Sequence, residues 1–148
     1  MSDQSIELYK QHRTAQEKYT YFLLAAAGAA IAFAVNKTQD VGLEITQVPL
    51  AFAVVLWALS FYFGCKQVER VTSILYTNME LLKVQSGLNT MAGTHPEKIA
   101  IGVAVLREIL ERDIRRASLH GRGQFTAFIG GTVAFIVWHV IDMFARTS

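Results

Sequence analysis

Residues 19–35, YTYFLLAAAGAAIAFAV, contain no Lys, Arg, Asp or Glu. At 1.5 Å of rise per residue a helix of this length covers about 25 Å, close to the hydrocarbon thickness of a bilayer. Two further blocks repeat the pattern: 48–65, VPLAFAVVLWALSFYFGC, and 125–145, FTAFIGGTVAFIVWHVIDMFA. Asp142 is the one carboxylate in the three. The chain has 148 residues and is 52% apolar, more than a soluble domain of this size usually carries, and the excess is confined to these blocks. The fold expected is an all-α membrane protein with three transmembrane helices.

The first block is read as retained rather than as a cleaved secretory leader. About 18 residues precede it, with the acids Asp3, Glu7 and Glu17 among them, and no small-x-small site follows it. Twelve of the fourteen basic residues lie before the first block or between the second and third. Because Lys and Arg near span ends are retained in the cytoplasm, the expected orientation has the N-terminus and the central segment inside and the C-terminus outside. The expected organisation is then a cytoplasmic N-terminal helix at 1–18, spans at 19–36, 48–65 and 125–145, an external loop at 37–47, a cytoplasmic helical hairpin at 66–124 and an external tail at 146–148. A bacterial inner membrane is the expected location.

No breaker occurs between Cys65 and Gly87, so the second span is expected to continue as an amphipathic stalk with Val68, Val71, Leu75, Met79 and Leu82 on its apolar stripe. Gly87 to Gly93 reads as a turn. Thr94 with Glu97 matches a capping box with Pro96 in the first turn, opening a helix over about 95–119 with Ile99, Val103, Leu106, Leu110 and Ala117 as its stripe. Gly121-Arg122-Gly123 is expected to break or bend the chain before the third span. A two-helix hairpin of this size has too little core to stand alone, so the N-terminal helix, the membrane or other copies must complete it.

The first block is rich in small side chains, with Ala25 and Ala29, and Ala26 and Ala30, at four-residue spacing. Such faces allow close backbone approach and are expected to pack against protein. Trp57, near the middle of its block, is expected to fill space beside them. Cys65 is the sole cysteine, which excludes an intrachain disulfide, and is expected to be a buried small hydrophobe.

Two constellations could carry chemistry. His139 and Asp142, three apart, share a helical face near the outer end of the third span; ionisable groups within a membrane generally point at protein or water, which suggests a pore lining, a proton site or a gate. In the plainer reading Asp142 reaches headgroups and His139 hydrogen-bonds to it or to a neighbouring helix. The second constellation is Arg115-Arg116-Ala117-Ser118-Leu119-His120, an Arg-x4-His element in a basic cluster completed by Arg112 and Arg122. In its plain reading His120 ends the helix beside Gly121 and the arginines meet anionic headgroups.

The Arg115-x4-His120 element also resembles the divergent motif of HEPN proteins. In active members Arg stabilises phosphate charge and His serves in acid/base cleavage of RNA. Together with the membrane layout, the chain resembles the small membrane accessory proteins of type VI-B CRISPR systems. The resemblance covers that element and the general architecture. It implies an oligomeric membrane pore acting in antiviral defence by depolarisation.

Phosphate-binding glycine loops, His-Glu-x-x-His, a nucleophile elbow and cysteine clusters are absent from the sequence, so no cofactor or metal is expected and the chain is not expected to be an enzyme. The function expected is an oligomeric membrane channel or pore-forming effector. The alternatives are a non-conducting scaffold or regulatory subunit and a membrane-tethered HEPN-type ribonuclease using Arg115 and His120. Expected partners are membrane lipids, further copies of the chain, and on the cytoplasmic side a protein or an RNA, but no DNA.

Overall fold

The computed structural model describes residues 3–38, 45–89, 93 and 95–147. Within them the chain is helical, without strands, and three of its helices are long and apolar enough to cross a membrane. Helix α1 (Asp3–Thr38) runs unbroken through the polar N-terminal segment and the alanine-rich block. A 3-10 turn, Ile45–Gln47, leads into α2 (Val48–Gln85), whose Pro49 sits in the first turn, where a missing N–H breaks no intrahelical bond.

Helix α2 stops for a local reason. Gly87 adopts a φ of 71°, the Leu88 amide donates to the Lys83 carbonyl at 3.0 Å, and the Gly87 amide donates to that of Val84 at 3.2 Å. This paired arrangement satisfies carbonyls that the helix end would otherwise orphan, and it requires a residue tolerant of positive φ. Helix α3 (Pro96–Thr147) begins on the expected proline, with Glu97 in its first turn. The capping role expected of Thr94 falls outside the described residues.

The expected break at Gly121-Arg122-Gly123 does not occur: α3 is one helix of 52 residues, joining the segment expected at 95–119 to the third apolar block. An interior glycine costs a helix about 1 kcal/mol relative to alanine, and here packing outweighs it. Ile99, Val103, Leu106, Leu110, Asp113, Ala117, His120, Gln124, Ala127, Gly131, Ala134 and Trp138 are all buried or half-buried, an alternation of steps of three and four that passes through the glycines without losing register. Such spacing is the seam of left-handed helix packing. Gly123 contributes as well, since a Cβ there would lie 3.2 Å from the Phe63 ring.

By contact density the chain divides into two units: residues 1–65 with 121–148, and Lys66–His120. In the first unit the core is Ala34, Leu50, Ala53 and Trp57, flanked by Ala30, Ile31, Val54, Phe128, Ala134, Phe135 and Trp138. Trp57 therefore packs between helices beside α1. Gly131 admits its ring: a Cβ at that position would stand 2.7 Å from Cδ1 and Nε1 of the indole. Cys65 is exposed, not buried as expected. Its neighbour Gly64 occupies the inward position, and the next residue of a helix lies about 100° further round.

The second unit corrects the stripe expected for α2 in its later part: Val68 and Val71 are half-buried, but the stripe does not continue inward beyond them. Leu75, Met79 and Leu82 are exposed, whereas Thr77 and Val84 are buried and Gln67, Arg70, Ser73, Ile74 and Leu81 are half-buried. Opposite them on α3, the stripe Ile99, Val103, Leu106, Leu110 and Ala117 does face inward, with Asp113 between the last two. The polar demand of that carboxylate accounts for the rotation of α2, which presents Arg70 and Ser73 to it instead of its most apolar side.

Candidate functional site

In the first unit a layer of polar side chains ties three helices together. Ser60 of α2 donates through Oγ to the Gln124 carbonyl of α3 at 2.9 Å, and Gln124 Nε2 donates to the Thr20 carbonyl of α1 at 3.4 Å. Among the described residues Gln124 and Ser60 are the largest fully buried side chains, and Thr20 is buried with its hydroxyl bonded to the Gln16 carbonyl at 3.1 Å. Gly64 makes room for the amide, because a Cβ there would fall 2.5 Å from Gln124 Nε2. In an apolar surrounding these bonds hold helices in register, each contributing on the order of 0.6 to 2 kcal/mol. With Leu23, Ala27, Ala34, Leu50, Ala53 and Trp57 also buried, this bundle has a packed interior.

At its other end the first unit has a cavity of about 550 Å³. The aromatic rings of Phe33, Phe135 and Trp138 form one wall, with centroids 6.0 Å apart for Phe33 and Phe135 and 5.5 Å apart for Phe135 and Trp138. Lys37 and Thr38 from the end of α1, Thr46 and Gln47 from the 3-10 turn, and His139, Asp142 and Met143 from α3 complete it. His139 and Asp142 thus share one cavity, with Asp142 half-buried and His139 exposed. Lys37 was not among the residues singled out from the sequence; its signal was its place as the one basic residue of the first loop.

The Arg115–His120 element lies within the second unit. Five residues on a helix separate two side chains by roughly 140°, so the two do not share a face. Arg115 is exposed, as are Arg112, Arg116 and Arg122, while His120 is half-buried on the face that carries Asp113 and Ala117. His120 is mid-helix and does not end it; its Nδ1 lies 2.6 Å from the Arg116 carbonyl.

The buried ionisable group of this unit is Asp113, absent from the sequence candidates. Its Oδ2 accepts from Ser73 Oγ at 3.1 Å and its Oδ1 lies 3.5 Å from an Arg70 guanidinium nitrogen. Arg70 Nε and Gln67 Oε1, also buried, have no hydrogen-bond partner. Nearby, the exposed Glu69 is held below the usual carboxylate range by the hydrogen bond and charge of Lys66, at 2.7 Å, with Arg70 and His120 adding to the effect. Among the described residues no group of three His, Cys, Asp or Glu side chains could hold a metal ion.

The small residues of α1 divide between two faces. Ala26 and Ala30 are half-buried, Ala25 and Ala29 are exposed, and the alanines buried in the bundle are Ala27 and Ala34. A Cβ added at Gly28 would meet nothing.

Compared with known proteins, the chain matches no family model, no curated sequence and no solved structure.

Proposed function

We propose that this chain is the subunit of a homo-oligomeric membrane channel or pore-forming effector, with the conducting path between copies. One observation carries the reading: the third span turns mostly outward and takes an ionisable residue with it. Only 11% of its most apolar stretch is buried within the chain, against 22% and 28% for the first and second, and His139 is on the exposed side. An imidazole on the outside of a membrane bundle is best accommodated by protein or water, which a neighbouring copy would supply. The packed interior of the single chain supports a path between copies and not through one. Exposed Ala25 and Ala29, beside the open Gly28, offer a surface for close helix approach.

In the proposed orientation the N-terminus and residues 66–124 are in the cytoplasm of a bacterial cell, and the C-terminus is outside. Following the resemblance at Arg115 and His120, the pore would serve antiviral defence by depolarising the inner membrane. Those two residues would act in assembly or gating, since within one chain they do not share a face. Cleavage of RNA would need a second copy to unite Arg115 with His120, and it ranks last among the readings.

A non-conducting scaffold is the second reading, favoured by Tyr76, Met79 and Leu82, which are 66%, 57% and 64% exposed and could seat a cytoplasmic protein. Copy number in lipid nanodiscs followed by conductance in planar bilayers separates the two. The channel reading expects a single high-order species that carries current, with the current altered by His139→Leu. A low-order species that carries none would favour the scaffold.

A further inference from the structure

In the second unit α2 carries two seams. Gln67, Arg70, Ile74, Thr77, Leu81 and Val84 are buried or half-buried and follow one another by steps of three and four, the spacing of a helix packed along its length. Val68, Thr72, Leu75, Met79 and Leu82 keep the same alternation, and from Thr72 onward all of them are exposed. Successive residues lie about 100° apart round a helix, so this second seam looks outward where the first looks toward α3. With Tyr76 alongside, it makes an apolar strip about 20 Å long.

The more apolar seam is the uncovered one. Asp113 draws Arg70 and Ser73 inward, which fixes Leu75, Met79 and Leu82 on the outer side. Apolar side chains scattered singly over a surface need no account, but a run of them at seam spacing marks a contact. The pattern suits a second α2 lying parallel. Leu75 and Leu82 fall where two-stranded parallel coils place leucine, and the β-branched Thr72 falls at the alternate position. At the flanks such a pair sets Val71 against Tyr76 and Asn78 against Lys83 of the second copy, so no like charges meet. An antiparallel pair is closed to copies inserted in one orientation, because α2 is a single helix from Val48 and its first half carries the second apolar block. A two-stranded seam of this length covers roughly 1,000 Å² in total, the least that a specific interface needs. Anchorage of both copies in one membrane raises their effective concentration and lowers the affinity required.

We propose that α2 pairs with α2 of a second copy, parallel and in register, through Val68, Thr72, Leu75, Met79 and Leu82. The inference rests on the homo-oligomeric reading above and adds the surface through which copies meet. It assigns to a second copy the strip that the scaffold reading would give to a different protein.

The test is disulfide crosslinking of the full-length chain in native membranes, in a Cys65→Ser background that removes the sole native thiol. Leu75→Cys and Leu82→Cys should each give a crosslinked pair of chains, because a disulfide needs Cα atoms within about 7 Å and a parallel seam brings like positions together. Glu80→Cys, off the seam, should give none. Adding Met79→Glu to the Leu82→Cys chain should cut the crosslink about tenfold, since like charges facing each other across an interface are costly. Met79→Lys should do the same, and co-expression of the two should restore the crosslink. Met79 is exposed, so both variants keep the helix, which circular dichroism registers. Equal crosslinking at positions 75, 80 and 82, adducts with a different protein in place of paired chains, or no recovery in the mixed pair at equal abundance would overturn the proposal. Current is not read: crosslinks in a chain that conducts nothing contradict the channel alone, and a conducting oligomer without them contradicts this seam alone.

Discussion

Ser73 and Asp113, forty residues apart in the chain, share a hydrogen bond of 3.1 Å from the serine hydroxyl to the buried carboxylate, and Arg70 faces the other carboxylate oxygen at 3.5 Å. A hairpin of two amphipathic helices could slide by a turn while keeping apolar contact. A single carboxylate that must meet both partners removes that freedom, which is the best-attested use of a buried charge.

Asp113→Ala should therefore cost the second unit about 1 to 2 kcal/mol, because Ser73 and the half-buried Arg70 lose their shared acceptor while Arg70 keeps part of its hydration. Denaturation in mixed micelles, followed by helical circular dichroism, measures the loss. The double variant Arg70→Met, Asp113→Leu should recover most of it, since exchanging a partly buried ion pair for apolar side chains of similar volume is often neutral.

Gly131→Ala should destabilise the first unit by about 1 to 3 kcal/mol, the usual range for overpacking. The added methyl would fall 2.7 Å from the Trp57 indole and 3.1 Å from the Ala53 carbonyl oxygen. A shift in tryptophan emission and a lowered Tm check it, and Trp57→Leu in the same chain should relieve most of the clash.

Gly64→Val should disturb the polar layer by driving Gln124 from its seat, as Nε2 lies 2.5 Å from the site of a new Cβ. Gln124→Leu should cost only on the order of 1 kcal/mol, because interhelical bonds of this kind are modest in lipid. A larger loss for the glycine variant than for the glutamine variant, measured by thermal melting in detergent, is the expected order.

Arg115→Ala and His120→Ala should both leave the helical content unchanged. Arg115 is exposed, and His120 contacts the carbonyl of its own helix at Arg116. No RNA cleavage is expected from the purified wild type; cleavage lost in both variants would instead revive the ribonuclease reading.

The three apolar helices were legible because a long stretch without charged residues announces itself by length and composition alone. What escaped was the role of polar residues at seam positions. Asp113, His120 and Gln124 occupy the same alternating steps of three and four as Leu110, Ala117 and Ala127, yet a search for apolar periodicity passes over them. Counting position regardless of polarity would have found all three and would have carried α3 through Gly121 and Gly123 unbroken. The rotation of α2 was not legible in the same way, since Leu75, Met79 and Leu82 make a better apolar stripe than the side that packs. Only the long-range demand of Asp113 selects the other face. The cavity escaped because Lys37, Thr46 and Asp142 come from three segments that only the fold brings together.

The channel proposal is tested most directly by membrane potential, read with a voltage-sensitive dye in bacterial cells after induced expression. Wild type and the His139→Leu, Asp142→Asn double variant would be compared at equal membrane abundance. The account predicts depolarisation by the wild type and its attenuation in the variant. An unchanged potential with wild type at high abundance, or equal depolarisation by both, would contradict it.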